Sequence, residues 1–186
     1  MPIVEAHILR GYSPKEKSRL TSALTDAVRF VVPASDEAVT VMVHEVPPEN
    51  YARGGKSRAP APALPDPKEL ALSFLKAMEA RDVDAAETML GTGFRMTFPG
   101  TRPMASIEEL IDWAKDRYRS VKKSITSVEA FHIDGCAVVY VIGTLSGEWP
   151  DGTLFEGIRF IDRFEIKGGK LISQDVWNDI AEERGK

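Results

Sequence analysis

Hydrophobic and polar positions alternate at the start of the chain. Ile3-Val4-Glu5-Ala6-His7-Ile8-Leu9 reads as a strand that ends at Gly11, with Glu5 and His7 on one face. Ser13-Pro14-Lys15-Glu16 is a capping box: Ser13 caps, Pro14 takes the first helical position, and Glu16 lies three residues after the cap. Leu20, Leu24, Ala27, Val28 and Val31 then recur at helical spacing until Pro33. Residues 38–46 are rich in β-branched side chains and read as a second strand. Two strands joined by a crossover helix lie parallel, with a right-handed connection. So short a β-α-β unit buries little core, which points to a homo-oligomer.

A different pattern follows. Asp66-Pro67-Lys68-Glu69 caps another helix, whose apolar stripe is Leu70, Phe74, Leu75 and Met78. The pattern predicts a short helix near Val83–Leu90, a strand over Phe94–Phe98, and a helix after Ser106 carrying Leu110, Ile111, Trp113 and Ala114. Strand-like runs near 125–133, 136–147, 153–167 and 170–178 are separated by Asp134-Gly135, Pro150-Asp151-Gly152 and Gly168-Gly169. Helices followed by an antiparallel meander make an α+β pattern, a curved sheet wrapped around helices.

Between the two patterns, Ser57-Arg58-Ala59-Pro60-Ala61-Pro62-Ala63-Leu64-Pro65 resists both helix and sheet. The expected organisation is therefore a first domain at 1–57, a Pro/Ala-rich linker at 58–66 and a second domain at 67–186.

Composition narrows the function classes. The net charge of -4, with acids and bases mixed along the chain, carries no nucleic-acid signature. No apolar run is long enough to span a membrane, and no signal-peptide pattern opens the chain. Cys136 is the single cysteine, and its apolar surroundings predict a buried, inert thiol in a cytoplasmic protein. Gly54-Gly55-Lys56-Ser57 lacks the leading glycine and the following helix of a phosphate loop. Neither Glu5 nor His7 has a metal-ligand partner at short spacing, so no metal and no cofactor are expected. The expected partner is a small-molecule substrate.

The residue with the most chemistry is Pro2. Trimming of Met1 would leave a free secondary amine at the start of a strand. A backbone α-amine titrates near pH ~8, and burial or nearby cations bring it into the range of a general base. Otherwise Pro2 is simply a good first residue for an edge strand.

Pro2-Ile3, His7-Ile8-Leu9, Gly11, the capped helix, the Val41–Glu45 strand and Glu49-Asn50-Tyr51-Ala52-Arg53-Gly54-Gly55 together resemble the 4-oxalocrotonate tautomerase family over nearly the whole first segment. The resemblance implies that Pro2 moves a proton between an enol oxygen and carbon, that Tyr51 is the aromatic shielding it, and that short units assemble into oligomers. It also shows two departures. Tyr12 and Thr40 stand where the best-known members carry arginines, which removes bidentate carboxylate recognition. Arg10 and Arg53 lie beside these positions, either as replacement cations or as solvated surface residues. Tyr12 could donate a hydrogen bond to an enolate or merely pack.

Residues 67–182 are similar in pattern to the nuclear transport factor 2-like fold of ketosteroid isomerase and SnoaL-type cyclases. The similarity rests on the first amphipathic helix, Ala80-Arg81-Asp82-Val83-Asp84, Ile161-Asp162-Arg163-Phe164 and Gly169-Lys170-Leu171-Ile172. It implies an α+β cone. Phe74 and Phe98 occupy positions where ketosteroid isomerase chemistry needs a donor tyrosine and a base aspartate, and only Asp162 matches an acid. Asp162 alternates with Ile158, Phe160, Phe164 and Ile166, so it faces the cone, either isolated with a raised pKa, paired with an arginine such as Arg159 or Arg163, or held by a backbone hydrogen bond. Phe98, Trp113, Trp149 and Trp177 are expected to line the cone, and His132 to face solvent. The leading expectation is an enol-keto tautomerase with an accessory cone. The alternatives are a cone enzyme of isomerase, cyclase or dehydratase type acting through Asp162, and a non-catalytic small-ligand-binding protein.

Overall fold

A computed structural model describes residues 1–184 of the chain. It divides into two compact units, Met1–Ala63 and the remainder from Leu64.

In the first unit, β1 (Ile3–Leu9) and β2 (Thr40–Val46) pair in parallel, with Ile3 opposite Thr40 and Leu9 opposite Val46. The crossover is α1 (Pro14–Val31), which packs on β2. Its capping box is formed: the Ser13 hydroxyl accepts from the Glu16 N–H at 3.3 Å, and the Glu16 carboxylate accepts from the Ser13 N–H at 2.6 Å. The helix stops before Pro33, with Val32 extended. A two-residue hairpin, β3 (Ala52–Arg53) with β4 (Lys56–Ser57), turns at Gly54 and Gly55, whose φ angles of 59° and 73° suit glycine. Period-two alternation gives the sheet two unlike faces. Val4, Ala6 and Ile8 are half-buried, whereas Ile3, Glu5, His7, Met42 and His44 are exposed. No residue of this unit is buried, and Phe30 and Val31 of α1 are 91% and 79% exposed.

The second unit has a true core. Helix α2 (Pro67–Ala80) begins at Asp66, whose carboxylate accepts from the N–H groups of Lys68 and Glu69. After α3 (Val83–Glu87) come β5 (Leu90–Thr97), α4 (Ile107–Ala114), β6 (Ser120–Ile133), β7 (Cys136–Glu148), β8 (Leu154–Lys167), β9 (Lys170–Asn178) and α5 (Ile180–Arg184). The five strands lie in the order β5-β9-β8-β7-β6. The last four form the expected antiparallel meander, while β5 joins β9 in parallel. Register shifts at Ile125/Ser127, Leu145/Gly147 and Glu165/Ile166 bend the long strands into a curved sheet. Phe74 of α2 fills the concavity, edge-on to Phe94 and Phe164 at 6.1 and 6.0 Å. At Gly143, beside the first bulge, an added Cβ would stand 2.1 Å from the Ser124 carbonyl oxygen. Cys136 is half-buried, not buried as its neighbours implied, because it opens β7 directly after the Asp134-Gly135 turn.

Candidate functional site

Parallel pairing sets the geometry of the first unit. Pro2 and Thr40 meet at the leading end of the strands, where the Thr40 N–H donates to the Pro2 carbonyl at 3.0 Å. Pro2 itself is half-buried. Arg10 lies at the trailing end, its N–H donating to Val46 O at 2.9 Å, and half-buried Tyr12 follows the Gly11 corner. There a groove of about 520 Å³ is lined by His7, Leu9, Val46, Tyr51, Arg53 and Arg58, among others.

The fold therefore brings Tyr51 and Arg53 together and leaves Pro2 and Thr40 elsewhere. Seven strand residues at ~3.3 Å each separate the two ends by roughly 20 Å. Arg58 was not among the sequence candidates because it reads as the start of the linker. Its signal was its position just beyond the Gly54-Gly55 hairpin, which turns the chain back alongside Arg53.

In the second unit, Asp162 is fully buried on the inner face of β8. Its partner is Lys123 of β6, with Nζ 2.8 Å from Oδ2, and not Arg159 or Arg163. Lys123 also lies over the Phe160 ring at 3.8 Å, and the Gln174 amide approaches Oδ2 at 3.4 Å. Asp162 Oδ1 and Gln174 Oε1 are buried without a hydrogen-bond partner among the described residues. Burial pushes the Asp162 carboxyl above its ordinary pKa, and the Lys123 charge and the two hydrogen bonds oppose that rise.

The other expected cone residues divide. Arg159 points outward, with a side chain 83% exposed and bound to Asp179 at 2.6 Å, because it alternates with the inward Ile158 and Phe160. Arg163 is outward too, held by Glu165 and Asp175. Trp177 pairs across from Ile161 on the outer face and is 54% exposed, so it does not line the cone. Phe98 and Trp113 do meet, with ring centroids 5.2 Å apart, and Trp149 packs on Phe155 at 4.3 Å. Phe98 also borders a second groove of about 450 Å³ between Thr97–Thr101 and Asp175–Asp179. His132 is exposed as expected. No helix among the described residues is long and apolar enough to cross a membrane.

Comparison with known proteins follows the same division. A family profile described as "Tautomerase enzyme" matches residues 2–59. A probable tautomerase of Staphylococcus aureus is 36% identical over 55 residues, spanning 30% of this chain and 90% of the relative. The 2-hydroxymuconate tautomerase of Bacillus subtilis is 34% identical over 56 residues, again 30% and 90%. Among solved structures, an NTF2-like protein from Burkholderia thailandensis superposes with a TM-score of 0.54 at 16% identity, covering 66% of this chain and 97% of that one. TerC, co-crystallised with polyporic acid, gives 0.52 at 13% identity, covering 63% and 94%. At such identities the likeness establishes the NTF2-like fold of the second unit and nothing of its chemistry.

Proposed function

The chain belongs to the tautomerase family through residues 2–59, fused to an NTF2-like domain, and from that premise we propose that it is an enol-keto tautomerase using the Pro2 amine as base. The reading requires removal of Met1. The Pro2 nitrogen takes the hydroxyl proton of an enol acid as the O–H becomes C=O, and the same proton is returned to carbon. Tyr51 shields and polarises the intermediate, with Tyr12 as a further hydrogen-bond donor. Arg53 and Arg58 take the substrate carboxylate in place of the arginines that Tyr12 and Thr40 replace. Residues 58–66 serve as the tether between domains.

One observation shapes this reading most. Pro2 and the Tyr51 groove lie at opposite ends of the same strand pair, and no residue of the unit is buried. An association of copies accounts for both facts at once. It covers the exposed apolar side chains and carries the Pro2 end of one copy to the groove of another.

The test compares turnover of an aryl or alkyl enolpyruvate by the native protein, Pro2→Ala, and protein carrying one extra N-terminal residue, with intact mass confirming loss of Met1. Both altered proteins are expected to lose 10²-fold or more, the usual scale of general-base catalysis. Equal rates for all three would refute the proposal.

A second reading is supported by the unpartnered Asp162 Oδ1 and Gln174 Oε1 on the inner face of the sheet. There Asp162, poised by Lys123, would exchange a proton with an apolar carbonyl compound. Asp162→Asn and Pro2→Ala assayed on one substrate panel distinguish the two, since each variant abolishes only its own reaction.

A further inference from the structure

Glu5 and His7 have no ligand partner nearby in sequence, but the fold supplies one from 37 residues beyond His7. Parallel pairing sets His44 of β2 directly opposite His7 of β1, and period two places Glu5 on the same side. All three residues are exposed in the single chain. The two imidazoles stack with centroids 4.7 Å apart and planes 16° from parallel. One ligand atom from each of the three residues lies within 4.8 Å of the other two. Among the described residues, no hydrogen bond or ion pair engages the Glu5, His7 or His44 side chains.

From this juxtaposition the geometry points to a divalent transition-metal site of the Zn²⁺ class, ligated by Glu5, His7 and His44. Zn²⁺ takes nitrogen and carboxylate oxygen at ~2.0–2.2 Å in a tetrahedron, so its ligand atoms stand about 3.3 Å apart. Closing from within 4.8 Å to that spacing takes about 1.5 Å of side-chain movement. Exposed side chains on paired strands make such a movement through their own rotamers, without displacing the backbone. Two imidazoles with a single carboxylate favour Zn²⁺, Ni²⁺ or Cu²⁺ over Mg²⁺ and Ca²⁺, which need several oxygen ligands. Three protein ligands leave the fourth position to water, the open arrangement of a metal that can still accept a ligand. The site is carried by the register of β1 and β2 and stands whether or not Pro2 is catalytic.

The test is calorimetric titration of the full chain, free of any affinity tag and treated with chelator, with Zn²⁺ alone and with Mg²⁺ alone. One Zn²⁺ per chain is expected, with micromolar affinity, and no saturable Mg²⁺ binding. His7→Ala and His44→Ala should each weaken Zn²⁺ at least tenfold, Glu5→Gln less, and His132→Ala not at all. Absence of saturable Zn²⁺ binding overturns the proposal, as does binding that survives His44→Ala unchanged. If an alanine variant fails to fold by circular dichroism, X-ray absorption of the Zn²⁺-loaded native chain decides. Two imidazoles in the first coordination sphere support the site, and any other count overturns it.

Discussion

Mixing two inactive variants tests whether the tautomerase site is shared between copies. Pro2→Ala removes the proposed base, and Tyr51→Ala removes the aromatic from the groove. The ~20 Å between the strand ends far exceeds the 3–3.5 Å at which reacting groups must meet, so a site using both residues draws them from different copies. When the two variants are unfolded and reassembled together at equal concentration, half of the Pro2 positions and half of the Tyr51 positions are intact. Independent choice makes about one site in four complete, so the mixture should recover roughly 25% of native turnover from two preparations that each have almost none. Mixing native protein with the Pro2→Ala/Tyr51→Ala double variant should leave about one quarter of the activity for a shared site and one half for a site within one chain. Turnover is followed by loss of enol absorbance, with assembly checked by light scattering. A mixture no more active than the sum of its parents, together with one half in the second arm, would refute the shared site.

Three further outcomes follow from the second unit. Lys123→Met strands the fully buried Asp162 carboxylate and should cost about 3–5 kcal/mol in urea unfolding followed by tryptophan fluorescence. Lys123→Met/Asp162→Leu should recover most of that loss, and an additive double variant contradicts the pairing. Because burial raises the Asp162 pKa in the folded state, that state holds the proton more tightly than the unfolded chain. The associated stability is complete below pH ~4 and is lost as pH rises through the folded-state pKa. Asp162→Asn lacks this dependence, so the native protein should lose stability relative to it with rising pH, and the opposite slope would show that the Lys123 charge prevails. Gly143→Ala presses a methyl group against the Ser124 carbonyl, an overpacking that should lower stability by about 1–3 kcal/mol.

The local features were legible in the sequence because their causes are local. Ser13, Pro14 and Glu16 form the box that their spacing required, and Ile158, Phe160, Asp162, Phe164 and Ile166 share the face that alternation assigned them. The same alternation should have excluded Arg159, which it turns outward. What escaped the sequence depends on long-range register. Lys123 reaches Asp162 across a sheet in which β6 and β8 are both neighbours of β7. Nothing within a dozen residues of Asp162 foretells a lysine 39 positions earlier. Likewise His44 becomes a neighbour of His7 only once β1 and β2 pair in a fixed register. Tyr51 and Pro2 belong to one family pattern, but the pattern does not say that they stand at opposite ends of one strand pair.

The first unit's lack of any buried side chain has a kinetic meaning beyond the geometry of its site. With the association proposed above, a unit that gains its core only on meeting its copies would fold in a reaction of order higher than one, and its stability would have no value apart from protein concentration. On dilution, structure and catalysis should fade together with a power-law dependence on dose, while the independently cored second unit remains folded. Abundance in the cell would then act as a threshold, below which the chain persists as a folded NTF2-like domain carrying a silent tautomerase.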